Sequence, residues 1–289
     1  MSLLINADDF GLTPGVNRSI AELHQAGALT SATLMATGAA FDDAVALALA
    51  HPTLEVGCHI VLIDGAPALP PREIPSLCPD GEPSFRAKLS RFASDLYSGR
   101  IRDAEIEAEA AAQIRRLQSA GLRVSHIDTH KHTHLFPRIL RPLLRAAHAC
   151  EVAAIRNPFE PHWARRATPG SAPMRSLAVT ALSLHRPAFH RLVQAAGLAT
   201  TSGTIGVLAT GASNIPATLR ALIAALPQDQ PNAVWELVVH PGYPDEHLDR
   251  IRTRLRESRA QEHDALLHLI PASGISLGSW RRLQADIDS

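Results

Sequence analysis

The segment His126-Ile127-Asp128-Thr129-His130-Lys131-His132-Thr133-His134 puts four histidines and an aspartate within nine residues. Neutral imidazoles at alternate positions are donors that a divalent cation takes, and a run this dense is seldom a plain solvated loop. Spacing leaves open which histidine binds, and whether Asp128 is a ligand or a partner that orients one. Asp8 and Asp9 follow the apolar run 3–7 and precede Phe10-Gly11. A carboxylate pair there can supply a ligand and a general base, or merely cap the next helix, which Thr13 or Asn17 could equally do. His59 closes the run Val56-Gly57-Cys58, Arg156 follows Ile155, and His240 follows Val238-Val239. Alone, each is ambiguous: an arginine can be an ion-pair partner and a histidine a packed or satisfied group. Together, carboxylates, imidazoles and a cation describe metal-assisted hydrolysis.

These side chains need elements to carry them. Short apolar runs at 3–7, 32–36, 54–60, 124–127, 152–155, 204–208 and 233–239 read as strands. A helix is expected over about 103–120, with Ile106, Ala110, Ile114 and Leu117 on one face and Gly121 just past its end. Pro137 opens another, with Ile139, Leu140, Leu143, Leu144 and Ala147 inward. An Arg- and Glu-laced helix over about 246–269 is expected to face solvent outside its Leu248, Ile251 and Leu255 stripe. About seven strands alternating with helices imply an α/β fold with a parallel sheet. A closed or nearly closed barrel and an open doubly wound sheet both fit. The chemical positions lie at the C-terminal ends of the runs, the rim where barrel enzymes assemble their sites. No G-x-G-x-x-G follows the first run, which lowers a dinucleotide-binding reading.

Two segments break the alternation. Residues 64–86 hold six prolines, and residues 157–175 hold four together with Phe159 and Trp163. Over 64–86, proline density forbids regular helix or central strand. Both are expected to lie over the rim and shape a substrate pocket. One geometric difficulty concerns Asp8 and Asp9, because consecutive strand residues point to opposite faces. They share a site only if the chain turns between them, as Gly11 suggests; otherwise the labels of base and ligand exchange.

The 289 residues hold 28 basic and 28 acidic side chains, so no basic surface invites nucleic acid. At 46% hydrophobic and 19% charged the chain is globular, with enough length to bury a core as one domain over 1–289. No run approaches the ~18 apolar residues of a membrane span, and the first residues lack the pattern of a signal peptide. Cys58, Cys78 and Cys150 are an odd count without C-x-x-C, so a reducing cytoplasm is expected. Cys58 should point away from His59, into core.

The motifs Asn6-Ala7-Asp8-Asp9-Phe10-Gly11, Gly57-Cys58-His59, the His126–His134 run, Ile155-Arg156 and Val239-His240-Pro241-Gly242-Tyr243 resemble, in order, those of the YdjC/ChbG carbohydrate deacetylases. The resemblance implies a distorted seven-stranded (β/α) barrel related to the NodB-type deacetylases, one divalent metal ion and removal of acetyl from N-acetylated sugars. It further implies Asp9, His59 and His130 as metal ligands, Asp8 as general base and, by looser analogy, His240 as general acid, with Arg156 beside the base. The ion would be Zn²⁺ or Mg²⁺, with Co²⁺ or Mn²⁺ compatible. The stretch Val61-Leu62-Ile63-Asp64-Gly65-Ala66-Pro67-Ala68-Leu69-Pro70-Pro71 also resembles the hopanoid-biosynthesis branch, HpnK. That implies an N-acetylglucosaminyl hopanoid lipid as substrate, with a chito-oligosaccharide as the other option. It allows transient contact with a membrane surface, and a homodimer is left open.

Two rival readings keep the same residues. A binuclear amidohydrolase or phosphoesterase would draw on the 130–134 histidines for a second ion, but Lys131 is the only lysine nearby for a bridging role. A non-catalytic metal- or glycan-binding protein would need neither a spare carboxylate nor His240.

Overall fold

The computed structural model describes residues 1–168, 173–212, 214–251 and 253–288. Its elements are β1 (Ser2–Phe10), α1 (Pro14–Gln25), β2 (Ser31–Leu34), α2 (Phe41–Ala50), β3 (Glu55–Ile60), α3 (Leu89–Tyr97), α4 (Asp103–Ser119), β4 (Val124–Thr129) and α5 (Pro137–Ala149), followed by α6 (His162–Ala167), α7 (Pro173–Leu182), α8 (Arg186–Ala195), β5 (Gly203–Ile205), α9 (Ile215–Ala224), β6 (Val234–Val239), α10 (Glu246–Arg250), α11 (Arg256–Ser273) and α12 (Trp280–Asp288). The strands form one six-stranded parallel sheet in the order β4-β3-β2-β1-β6-β5. β1 is buried along nearly its whole length, as expected of a strand covered on both faces.

Six of the seven expected strands form. The run at 152–155 makes only isolated bridges, Ile155 with Ile127 of β4 and Ala154 with Ala199 just ahead of β5. Its amides are nonetheless used on both sides: Arg156 N donates to Ile127 O at 3.0 Å, and Ile155 N to Ala199 O at 2.9 Å. This segment spans the gap between the two edge strands, so the sheet curls into a half-barrel.

The expected helix over 103–120 forms as α4, and Gly121 follows it at φ +86°. The helix expected over 246–269 is instead two, α10 and α11, separated near residue 251. Nor does α11 simply face solvent: Arg259, Glu262 and His263 on it are buried. Their charges have partners inside the molecule, which charge patterning along a helix does not reveal.

The proline-rich segment 64–86 is held in place by buried carboxylates. Glu109 accepts from Ala68 N and Leu69 N, Glu105 accepts from Ser76 N, and Arg86 donates to Asp95 and to the carbonyls of Ser76 and Leu77. Backbone amides that no helix or strand satisfies are thus met by side chains. Of the second segment, residues 169–172 lie outside the described residues. Phe159 and Trp163 do not roof the rim. Phe159 is buried against Phe189, and Trp163 packs edge-on to Trp235, near the start of β6 and at the opposite end of that strand from His240. Burying these large rings against the core is worth more than presenting them to water. Among the described residues no helix is long and apolar enough to cross a membrane.

Candidate metal and catalytic centre

The end of β1 resolves the difficulty of adjacent aspartates. Asp9 takes a left-handed backbone, φ +64°, and the register of β1 against β2 slips between Ala7 and Phe10. The bulge lets Asp8 and Asp9 serve the same rim. A non-glycine residue in this region costs on the order of 1 kcal/mol or more, and such strain concentrates at functional sites. Gly11 follows at φ +86°, and a Cβ there would lie 2.7 Å from the Leu34 side chain. Capping falls to Thr13, whose side chain accepts from Val16 N, which leaves both aspartates free.

Asp9, His59 and His130 converge. Asp9 Oδ1 lies 3.7 Å from His59 Nε2 and 3.7 Å from His130 Nδ1, and the two ring nitrogens are 3.3 Å apart. All three donor atoms fall within 4.8 Å of one another, a set that could hold a metal ion. One carboxylate and two imidazoles suit a divalent cation in a catalytic role. Burial pushes His59 toward the neutral form, but the neighbouring Asp128, Asp8 and Asp9 carboxylates outweigh it and raise its pKa to about 9. Burial dominates at His130 and lowers it to about 4. Burial raises Asp9, yet the charges of Arg259 and the surrounding histidines together hold it below the usual carboxylate range.

His59 is oriented from behind. Its Nδ1 pairs with Asp128 Oδ1 at 2.9 Å, which turns Nε2 toward the other donors. Asp128 is therefore the orienting partner of a histidine. Asp8, His59 and Asp128 also form an acidic group close enough to suit an ion. A guanidinium already occupies that position: Arg156 donates from Nη2 to Asp8 Oδ1 at 2.7 Å and from Nη1 to Asp8 Oδ2 at 2.9 Å. It also pairs with Asp128 through Nη1 and, through Nε, with Glu236 Oε1 at 2.7 Å. Burial works to raise Asp8, and Arg156 with His59 and His240 reverses this to hold it well below its ordinary value. His240 Nε2 stands 3.9 Å from Asp8 Oδ2. The structure thus gathers all six expected residues, Asp8, Asp9, His59, His130, Arg156 and His240, at one end of the sheet.

The other histidines of the run are not among these three donors. His126 is fully buried beside Trp280, with ring centroids 4.0 Å apart, and a Cβ on Gly57 would strike it at 2.4 Å. His134 is buried and joins Thr129 Oγ1 at 2.7 Å. His132 follows Lys131 in a left-handed turn, φ +57° then +50°, which breaks strand alternation and explains why spacing could not select the ligand.

The matching family model, described as YdjC-like protein, covers residues 2–270. The chain belongs to the YdjC-like family. This YdjC-like protein is 44% identical over 159 residues to a carbohydrate deacetylase of Brevibacillus brevis (strain 47), across 55% of this chain and 60% of that one. A carbohydrate deacetylase of Vibrio campbellii is 38% identical over 150 residues, 51% of this chain and 55% of the relative. The chain thus spans little more than half the length of these curated relatives. Among solved structures, a protein of Enterococcus faecalis V583 named for cellobiose-phosphate cleavage matches with a TM-score of 0.73 at 25% identity, over 98% of each chain. A lactam utilization protein of Thermus thermophilus shares the fold at a TM-score of 0.52 and 16% identity, over 96% of this chain and 99% of that one.

Sequence reasoning missed four contributors to this YdjC-like site. Arg259 Nη2 reaches Asp9 Oδ2 at 2.5 Å, Glu262 Oε2 accepts from His240 N at 2.5 Å, Glu236 holds Arg156, and Asn6 Nδ2 donates to Asp8 Oδ1 at 3.0 Å. Glu236 within Val-Trp-Glu-Leu-Val-Val and Asn6 within Leu-Leu-Ile-Asn-Ala carry a readable signal, a polar residue inside an apolar strand. Arg259 and Glu262 carry none, because they stand among other charged residues in the first half of their helix, between Arg256 and Asp264.

Proposed function

We propose that this chain is a metal-dependent hydrolase that removes the N-acetyl group from an N-acetylglucosamine-containing substrate. The observation that carries this reading is the meeting of Asp9 Oδ1, His59 Nε2 and His130 Nδ1 beside Asp8 and His240. The relatives named carbohydrate deacetylase support a sugar as the substrate class. Asp9, His59 and His130 would hold one divalent ion, Zn²⁺ or Mg²⁺, with Co²⁺ or Mn²⁺ suited to the same donors. Such an ion supplies a Lewis acid and lowers the pKa of a water toward neutrality.

The rest falls to the chain's own residues. Asp8 accepts the proton of the attacking water. A carboxylate held ionised by Arg156 is a weak base, so it needs an acidified water as its partner. The bidentate grip of Arg156 also fixes which way Asp8 points. His240, across 3.9 Å from Asp8, gives a proton to the amine nitrogen, a poor leaving group until protonated. Water and acetamide become acetate and free amine. Arg156 holds both oxygens of Asp8, whereas Arg259 takes only Oδ2 of Asp9 and leaves Oδ1 facing His59 and His130, which favours Asp8 as base and Asp9 as ligand over the exchanged assignment.

The resemblance at residues 61–71 supports an N-acetylglucosaminyl hopanoid lipid as the substrate, with a chito-oligosaccharide as the alternative. The test is acetate release from N-acetylglucosamine conjugates with and without chelator, comparing chitobiose with a glucosaminyl-lipid precursor. Chelator-sensitive release is expected, faster on the lipid. Preference for chitobiose removes the lipid assignment, and release unaffected by chelator removes the metal.

A further inference from the structure

Helix α11 touches both halves of the site, from a region that the motifs do not cover. Arg259, 1% exposed, is its link. Nη2 lies 2.5 Å from Asp9 Oδ2, and Nη1 donates to His240 O at 3.3 Å. One turn further along, Glu262 accepts the His240 amide at 2.5 Å. The peptide groups on both sides of the His240 Cα are therefore anchored to one helix. The following residues are fitted to it as well. Gly242 N donates to Arg259 O at 3.3 Å, and a Cβ on Gly242 would lie 3.2 Å from Arg259 Cδ and 2.9 Å from Val16 Cγ2. Glycine at 242 lets this loop lie on the arginine stem.

A guanidinium against a metal-binding carboxylate needs a reason, since its charge opposes a cation nearby. Geometry supplies one. With Oδ2 taken by Arg259, only Oδ1 of Asp9 faces His59 and His130. We propose that Arg259 is a positioning residue: it restricts Asp9 to one inward oxygen and ties that orientation to the placement of His240. The inference rests on the metal reading of the site above. It assigns to α11 the alignment of ligand and proton donor, so that the two keep a fixed relation during turnover. Pre-set geometry of this kind accounts for large rate effects from residues that never touch substrate.

The test uses the full chain loaded with Co²⁺, comparing wild type with Arg259→Met, which keeps the stem, and Arg259→Lys, which keeps one donor. Readouts are the visible Co²⁺ spectrum, Co²⁺ affinity, and kcat and KM for acetate release. For Arg259→Met the expected result is Co²⁺ bound at least as tightly as in wild type, with a changed spectrum. Its kcat should fall by about 10- to 100-fold, while KM stays within about threefold, and Arg259→Lys should lie between. A wild-type spectrum together with kcat within about threefold of wild type overturns the proposal. If Arg259→Met does not fold, Arg259→Lys is judged on the same two readouts. A wild-type protein that binds no Co²⁺ would remove the metal reading itself, an outcome separate from either variant result.

Discussion

Two clusters of buried acids and bases lie side by side at the end of this sheet, and they differ in what completes them. Around Arg156, one guanidinium is hydrogen-bonded to Asp8 and Glu236 and ion-paired with Asp128. Around Asp9, His59 and His130, three donor atoms lie within 4.8 Å of one another, a set that could hold a metal ion. Arg259 lies on the other oxygen of Asp9, Oδ2. The chain supplies its own guanidinium to one cluster, and the donors of the other suit an external cation. His59 and Asp128 join them, since His59 belongs to the donor cluster and its partner to the Arg156 cluster.

Exchanging the two aspartates tests this division most severely. Asp9→Asn is expected to abolish metal binding, while Asp8→Asn keeps the metal and lowers turnover by about 10²–10⁴. Metal content by atomic emission, set beside acetate release, distinguishes them, and metal loss in Asp8→Asn would reverse the assignment. Next in size, Arg156→Met strands three buried carboxylates and is expected to cost about 3–5 kcal/mol of stability by urea unfolding. A loss under about 1 kcal/mol would mean that the Arg156 cluster does not need its cation. Smaller again, Asp128→Asn releases Nδ1 of His59 and should weaken metal affinity about 10- to 100-fold. Unchanged affinity by competitive titration would detach the two clusters.

A last prediction concerns pH. Burial raises the Glu236 carboxyl from 4.5 to about 7, with Arg156 offsetting only part of that cost. A raised carboxyl contributes stability below its unfolded pKa and loses it as pH climbs through the folded value. Wild type should therefore lose ground to Glu236→Gln between about pH 4.5 and pH 7, and no further above. Urea unfolding at about pH 5 and about pH 8, on either side of most of that window, measures the shift, and a gap moving the other way contradicts it.

Much of this was legible in residue order. Six strands were readable as apolar runs, and α4 from its stripe and trailing glycine, because period and capping are local properties. The run at 152–155 reads like the others, yet whether it becomes a strand depends on partners at 127 and 199. Phe159 and Trp163 suggested a rim because loops carry function, but hydrophobic burial claimed both. His130 separated from His126 and His134 only where the chain turned left-handed at Lys131 and His132.

Residue types and order by themselves offered the candidate donors and their place at strand ends, since side-chain chemistry and strand periodicity are written locally. Only the tertiary structure decided that Arg156 grips both oxygens of Asp8, while Asp9 gives one oxygen to Arg259 and turns the other to two imidazoles. That choice follows from one left-handed residue, Asp9, and from two arginines about 150 and 250 positions away in the chain. Electrostatic partners are set by distance in space, which a single sequence does not record.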